Sequence, residues 1–393
     1  VSQPEKARGN SLKRKTRLCL LILVGVSVVT SGCWNYREVD KLNVVAGVAI
    51  DKGKTERYSM TAEIIHISGG KDTKMTSKTI SAEGKTLFDT ARNIIAVAGK
   101  RLYWSHIKVI IISNELAGEG IINILDFIMR DAETREDTPI LISKDETAKE
   151  IFSGESTENV VSIALSETLE NQKSLGKGQI TDILDYEIVS NTKGASIAIP
   201  AIHLKQEDDK KTPEIMGTAV IKNDRLAGFL NGEETKYLYF IKDEIKYGIL
   251  TEEIKTDNEV TLISLEIFKN RTKVTPVVNG NNIHFNIELE TRVAIDEING
   301  NGDFFSEEAV KELEQKTEAS LTTQIEAFIK KVQSDYDADI FGFASKLWEN
   351  QPRTYNSVIT NWDEIFKGLQ IHVHSKILIE NSALKEDGEE TGE

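Results

Sequence analysis

The sequence predicts an α+β chain of mixed α/β character, built as three domains of mixed or antiparallel sheets flanked by helices. Three observations carry this. Strand-like apolar runs alternate with helical stretches from Asn43 to Leu204, the pattern of sheets covered by helices. From Ile283 to Val293 nearly every second residue is apolar, as in a strand with one face over a core. From Ser306 to Ser334 the apolar residues fall three or four apart, as on one face of a helix.

In chain order, residues 1–32 read as a lipoprotein signal peptide. Lys6, Arg8, Lys13, Arg14, Lys15 and Arg17 form a basic region, and the apolar run Leu18 to Val29 follows. Twelve helical residues rise about 18 Å, short of a bilayer core of about 30 Å. Thr30-Ser31-Gly32-Cys33 then looks like a bacterial lipobox. Cys33 would take a diacylglycerol and become the first mature residue. Thr30 stands where an aliphatic residue is usual. Removing six cations and Glu5 takes the net charge from −15 to −20. A body so acidic is repelled by anionic headgroups.

The N-terminal domain, 33–206, opens with strands at Asn43–Ile50, Tyr58–Ile67 and Met75–Ala82. Thr86–Ala98 has helical spacing. Ile107–Ile112 reads as a buried strand, Gly120–Met129 as a helix, and Pro139–Ile142 as a short strand before a helix capped by Asp145. Val160–Asn171 and Thr181–Val189 read as helices, and Ser196–Leu204 returns as a strand. The charged run Lys205 to Pro213 reads as a linker. A middle domain, 213–258, pairs Gly217–Ile221 with Leu226–Leu230 around Asn223-Asp224. A helix follows, with Glu233 and Glu234 in its first turn. The C-terminal domain, 259–380, is predicted as an antiparallel sheet under one long helix. The hairpin turn Asn279-Gly280 joins Val274–Val278 to the Ile283 strand, and Ile371–Ile379 alternates likewise. The tail 381–393 is acidic and expected to be disordered.

Chemistry is sparse. Lys plus Arg number 48 against 63 acids, which argues against a nucleic-acid partner, since phosphate binding draws on clustered cations. Cys19 and Cys33 are the only cysteines, so past residue 33 there is no disulfide, thiolate zinc site or cysteine nucleophile. His372 and His374 share a strand face, but zinc sites want three or four ligands. No nucleophile elbow, phosphate loop or dinucleotide fingerprint is present. The residues therefore predict no catalytic residue, no metal and no cofactor.

Gly32-Cys33-Trp34-Asn35-Tyr36-Arg37-Glu38, then Ala46 to Gly53 (AGVAIDKG), resembles the Ger(x)C family, lipoprotein C subunits of nutrient germinant receptors in spore-forming bacteria. The resemblance continues at Trp104 to Ile111 and is densest at Gly217 to Thr235 (GTAVIKNDRLAGFLNGEET). It returns at Asp339-Ile340-Phe341-Gly342-Phe343 and Asn361-Trp362-Asp363. Asn35 stands where the family often has Asp, and Ser105 where it often has Gly. The resemblance implies a three-domain fold and a non-enzymatic subunit at the outer face of the spore inner membrane. Its partners would be germinant receptor A and B membrane subunits, and it implies anchoring to the membrane by diacylglycerol at Cys33. No small-molecule ligand is expected for the isolated body. Dense resemblance around a turn read as exposed makes Asn223, Asp224 and Arg225 candidate partner contacts. Two other classes remain: a substrate-binding lipoprotein of an importer, and a tethered hydrolase.

Overall fold

The computed structural model describes Leu20 and residues 42–380, apart from 69–73, 132, 177–179, 256–259, 281, 301 and 303. Cys33, its neighbours Trp34 and Tyr36, and the tail 381–393 lie outside the described residues.

A nine-stranded mixed sheet is built from β1 (Leu42–Lys52), β2 (Tyr58–Ser68), β3 (Lys74–Gly84), β4 (Arg101–Tyr103), β5 (Val109–Ile112), β6 (Ile140–Ser143), β7 (Ile197–Glu207), β8 (Lys210–Lys222) and β9 (Arg225–Leu230). Its order is β3-β2-β1-β5-β6-β7-β8-β9, with β4 beside β1. The centre is parallel, β1 to β5 to β6 to β7, and both flanks are antiparallel. Central parallel strands must be apolar on both faces; Val45 to Asp51, Val109 to Ile112 and Ile140 to Ser143 are buried without interruption.

Helices supply the two covers. On one face lie α1 (Leu87–Ala98), α2 (Asn114–Glu119), α3 (Ile122–Arg130) and, later in the chain, α5 (Ile183–Ser190), packed through Ile94, Leu116, Leu125 and Tyr186. On the other lie α4 (Val161–Leu175) and a 3-10 turn at Lys149–Ser153, packed through Leu165, Leu169 and Ile151.

Two expectations are corrected here. The run Lys205 to Pro213 is no linker: it is the end of the β7–β8 hairpin, with Lys205 opposite Thr212 and Glu207 opposite Lys210. The residue-206 and residue-213 boundaries therefore fall within one ladder, held by backbone bonds that need no apolar side chains. Asp145 caps no helix; its carboxylate accepts from Leu204 N–H at 2.7 Å. The 3-10 turn is held instead by Asp51, which accepts from Ala148 and Lys149 N–H at 2.6 and 3.1 Å.

After α6 (Gly232–Lys242) the chain forms β10 (Gly248–Lys255), β11 (Val260–Asn279) and β12 (Asn282–Asn299), an antiparallel meander. Then come α7 (Glu307–Lys331), a π turn at Val332–Tyr336, α8 (Phe343–Asn350), α9 (Pro352–Val358), α10 (Trp362–Gly368) and β13 (Gln370–Ile379). β13 pairs with β12 in parallel, so the expected all-antiparallel sheet is in fact mixed. The helices between the two strands supply the crossover that parallel pairing requires. Leu313, Thr317, Leu321, Ile325 and Phe328 of α7 are buried against Phe285, Ile287 and their neighbours.

α7 bonds to both edges of this second sheet. Glu318 and Glu314 accept from the N–H groups of Ile377 and Ile379 in β13 at 3.1 and 2.8 Å. Lys316 donates to the Glu253 carbonyl of β10.

Candidate contact surface around the β8–β9 turn

β8 and β9 close with Lys222 opposite Arg225, leaving a two-residue turn. Asn223 has φ 47° and Asp224 φ 73°. Two successive positive φ angles make the tight hairpin turn that matches strand twist, and Asn and Asp are the side chains that tolerate it. Asn223 and Arg225 are exposed, whereas Asp224 is half-buried.

Asp224 is occupied. α3 begins after Ile121, which offers no capping side chain. The carboxylate of Asp224 accepts from Ile121 N–H at 3.0 Å and from Ile122 N–H, and its carbonyl also accepts from Ile121. A helix start leaves such donors unpaired, so Asp224 caps a helix about a hundred residues upstream. Gly120 makes room: a Cβ there would lie 2.5 Å from Asp224 Oδ2. Burial raises the Asp224 pKa, against the lowering effect of the two N–H groups and Arg225.

The flanks of the turn are tied to the C-terminal third. Lys222 pairs with Asp337, which also pairs with Lys367 at 3.1 Å. Tyr336 donates to the Phe229 carbonyl at 2.9 Å and its ring covers Gly228, where a Cβ would sit 2.5 Å from it. Asn231 and Glu234 form a reciprocal capping box on α6, as the acidic first turn predicts. Glu234 also pairs with Lys331. Gly217, at φ 87°, lets the Leu230 carbonyl approach.

The two late segments of resemblance meet. Asp339 is buried and accepts from Phe343 N–H, Ala344 N–H and Trp362 Nε1 at 3.0, 2.8 and 3.1 Å. Burial pushes its pKa up to about 6 despite those donors.

Other carboxylates act likewise, unseen in the sequence because their partners are distant. Glu63 is buried and accepts from Val161 and Ser162 N–H, both at 2.9 Å, at the start of α4. Glu83 gathers Lys54, Thr55 and Glu56 N–H and the Thr55 hydroxyl, which hold its pKa down to about 2. A carboxylate beside backbone N–H groups that lack a local partner is the signal, and it needs the fold to be visible.

A cavity of about 130 Å³ lies beneath α1 and α3, floored by Val48, Ile50 and Met60 and walled by Phe88, Trp104 and Phe127. Arg101 and Glu133 pair at 3.0 Å at its lining, and Glu133 Oε2 is buried with no partner among the described residues. His372 lies edge-on to His284, ring centres 5.5 Å apart. Among the described residues no three His, Cys, Asp or Glu side chains gather as a metal ion requires, and no helix is long and apolar enough to cross a membrane.

The bonds around the β8–β9 turn hold a surface in place. Comparison with known proteins covers most of the chain. Residues 35–204 match the family model described as spore germination protein N-terminal domain. Residues 216–383 match that of spore germination B3/GerAC-like, C-terminal. Spore germination protein B3 of Bacillus subtilis (strain 168) is 24% identical over 362 residues, covering 90% of this chain and 94% of that protein. Spore germination protein KC of the same organism is 22% identical, covering 95% and 97%. The crystal structure of the GerBC protein superposes with a TM-score of 0.56 at 21% identity, covering 85% of this chain and 96% of that one; it shows the shared α+β fold. The chain belongs to the Ger(x)C family of spore germination proteins.

Proposed function

We propose that the chain is the lipid-anchored C subunit of a spore germinant receptor, held by diacylglycerol at Cys33 on the outer face of the spore inner membrane. It works with A and B membrane subunits in nutrient-triggered germination, by assembly or signal relay, without catalysis of its own. The observation that carries this is the match of both halves, 35–204 and 216–383, to spore germination families, read together with the lipobox-like Thr30-Ser31-Gly32-Cys33. The sequence division into 33–206, 213–258 and 259–380 places its first boundaries inside the β7–β8 ladder, where the family models also part, between 204 and 216.

Within this reading Asn223 and Arg225 are the partner-facing residues of the β8–β9 turn, while Asp224 holds the turn on α3. Affinity isolation of the lipidated chain from spore membranes is expected to bring down two integral membrane proteins. Isolation of the chain alone, or loss of the gene without a germination defect, would remove the proposal.

The cavity beneath α1 favours one other reading, a nutrient-binding lipoprotein. A ligand at a hundred times its dissociation constant stabilises its site by about 2.7 kcal/mol. Amino acids, sugars and nucleosides are expected to leave the melting temperature unmoved; a reproducible rise would favour the binding protein.

A further inference from the structure

The β2–β3 hairpin outruns the body it belongs to. β2 is buried from Met60 through Ile64, whereas His66, Ile67 and Ser68 are exposed, as are Lys74, Met75 and Thr76 across from them. The ladder nevertheless continues, pairing Ile65 with Ser77, Ile67 with Met75 and Ser68 with Lys74. At about 3.3 Å per residue the paired strands extend roughly 10 Å past Ile65. Directly opposed residues share one face, so Ile67, 62% exposed, and Met75, 42% exposed, form a single apolar pair on this extension. Lys74 and Lys78 are exposed along β3, and no acid stands among the described residues of 65–80, in a chain of net charge −15.

Chain direction adds the decisive constraint. β1 runs antiparallel to β2 with Val45 opposite Ile64. The chain therefore joins β1, at Leu42, at the same end of the sheet from which the hairpin extends. Nine residue steps lead from Cys33 to Leu42, a reach of at most about 30 Å.

We propose that this hairpin end, Ile67 and Met75 flanked by Lys74 and Lys78, rests in the headgroup layer of the membrane, and so fixes which end of the body faces the bilayer. This rests on the reading of Cys33 as the lipid anchor. The apolar pair leaves water at the acyl boundary, and the lysines meet anionic lipid that repels the body as a whole. Tethering makes weak contacts sufficient, because the anchor supplies a high local concentration of membrane.

The test uses the full lipidated chain in vesicles of phosphatidylethanolamine and phosphatidylglycerol. A blocked Cys33 leaves Met75→Cys as the single dye-reactive thiol. Glu56→Cys, in the turn at the opposite end of β2, is the comparison. Brominated lipids are expected to quench the dye at 75 at least twofold and to leave the dye at 56 unchanged. Ile67→Asp added to Met75→Cys is expected to abolish the quenching while the protein still floats with the vesicles. Flotation without quenching at 75, equal quenching at both positions, or quenching that survives Ile67→Asp overturns the proposal and leaves the anchor standing. Failure to float, with Cys33 open to the dye, overturns the anchor and this proposal together.

Discussion

The indole of Trp362 donates its N–H to Asp339 at 3.1 Å, joining two buried residues that lie 23 positions apart. The same carboxylate receives the first N–H groups of α8, so one side chain fixes the start of α8 and the start of α10 together. Trp362→Phe removes one donor and keeps most of the ring, and is expected to cost about 1–3 kcal/mol in urea titrations. Asp339→Ala strands several donors and is expected to cost more. The double variant should lose less than the sum, because the residues share one network. Strict additivity would show that the bond is idle.

Asp339 also predicts a pH effect. Its folded pKa, about 6, exceeds the usual 3.8 because it is buried. The native state therefore holds this proton more tightly than the unfolded chain does. The group's contribution is fully present below about pH 3.8 and is lost as pH rises through about 6. Relative to Asp339→Asn, the unmodified chain is expected to lose stability between pH 4 and pH 6.5. A parallel pair of melting curves across that range would contradict the burial assigned to Asp339.

At the β8–β9 turn, neighbouring residues are expected to separate cleanly. Asp224→Ala uncaps α3 and should cost about 0.5–2 kcal/mol, the range for losing a helix cap. Arg225→Glu and Asn223→Asp should leave the melting temperature within a degree or so, since both side chains are exposed. If these two residues touch partner subunits, the same substitutions weaken co-isolation from membranes. Normal co-isolation with both would return the turn to a purely structural role.

On α7, Leu321→Ala or Phe328→Ala opens a cavity and is expected to cost about 2–5 kcal/mol. Gln315, exposed on the opposite face, should tolerate Ala within about 0.5 kcal/mol. Glu318 reads from the sequence as a polar-face residue of equal indifference, but its carboxylate accepts from Ile377 N–H. Glu318→Ala should therefore cost about 1 kcal/mol more than Gln315→Ala. Chemical denaturation of the three classes of variant orders them.

These contrasts show what a sequence carries. The stripe of α7, the acidic first turn of α6 and the Asn223-Asp224 turn were legible because each is a local pattern whose partners lie within a few residues. The β7–β8 extension was not, since its side chains at 205–213 are largely charged and solvent-facing and the ladder is made by the backbone. Strand direction was equally hidden: alternation in Ile371–Ile379 is the same whether β13 runs with β12 or against it. The carboxylate caps were hidden for a third reason. Asp224 and Ile121 are 103 positions apart, and Glu63 and Val161 are 98 apart, so no local window holds both ends of either bond. In the candidate surface the turn was visible, and the restraint on Asp224 was not.

The placement of α7 sets the terms on which anything can join the second sheet. Recruitment by β-augmentation needs a bare edge whose N–H and C=O groups template an incoming strand. Here Glu314 and Glu318 already hold donors of β13, while Lys316 and Lys236 hold the Glu253 and Ile249 carbonyls of β10. A guest strand at either margin would have to displace those side chains first. Anything that joins this sheet would read its side-chain surface, and the same bonds guard its two margins against edge-to-edge pairing with another copy.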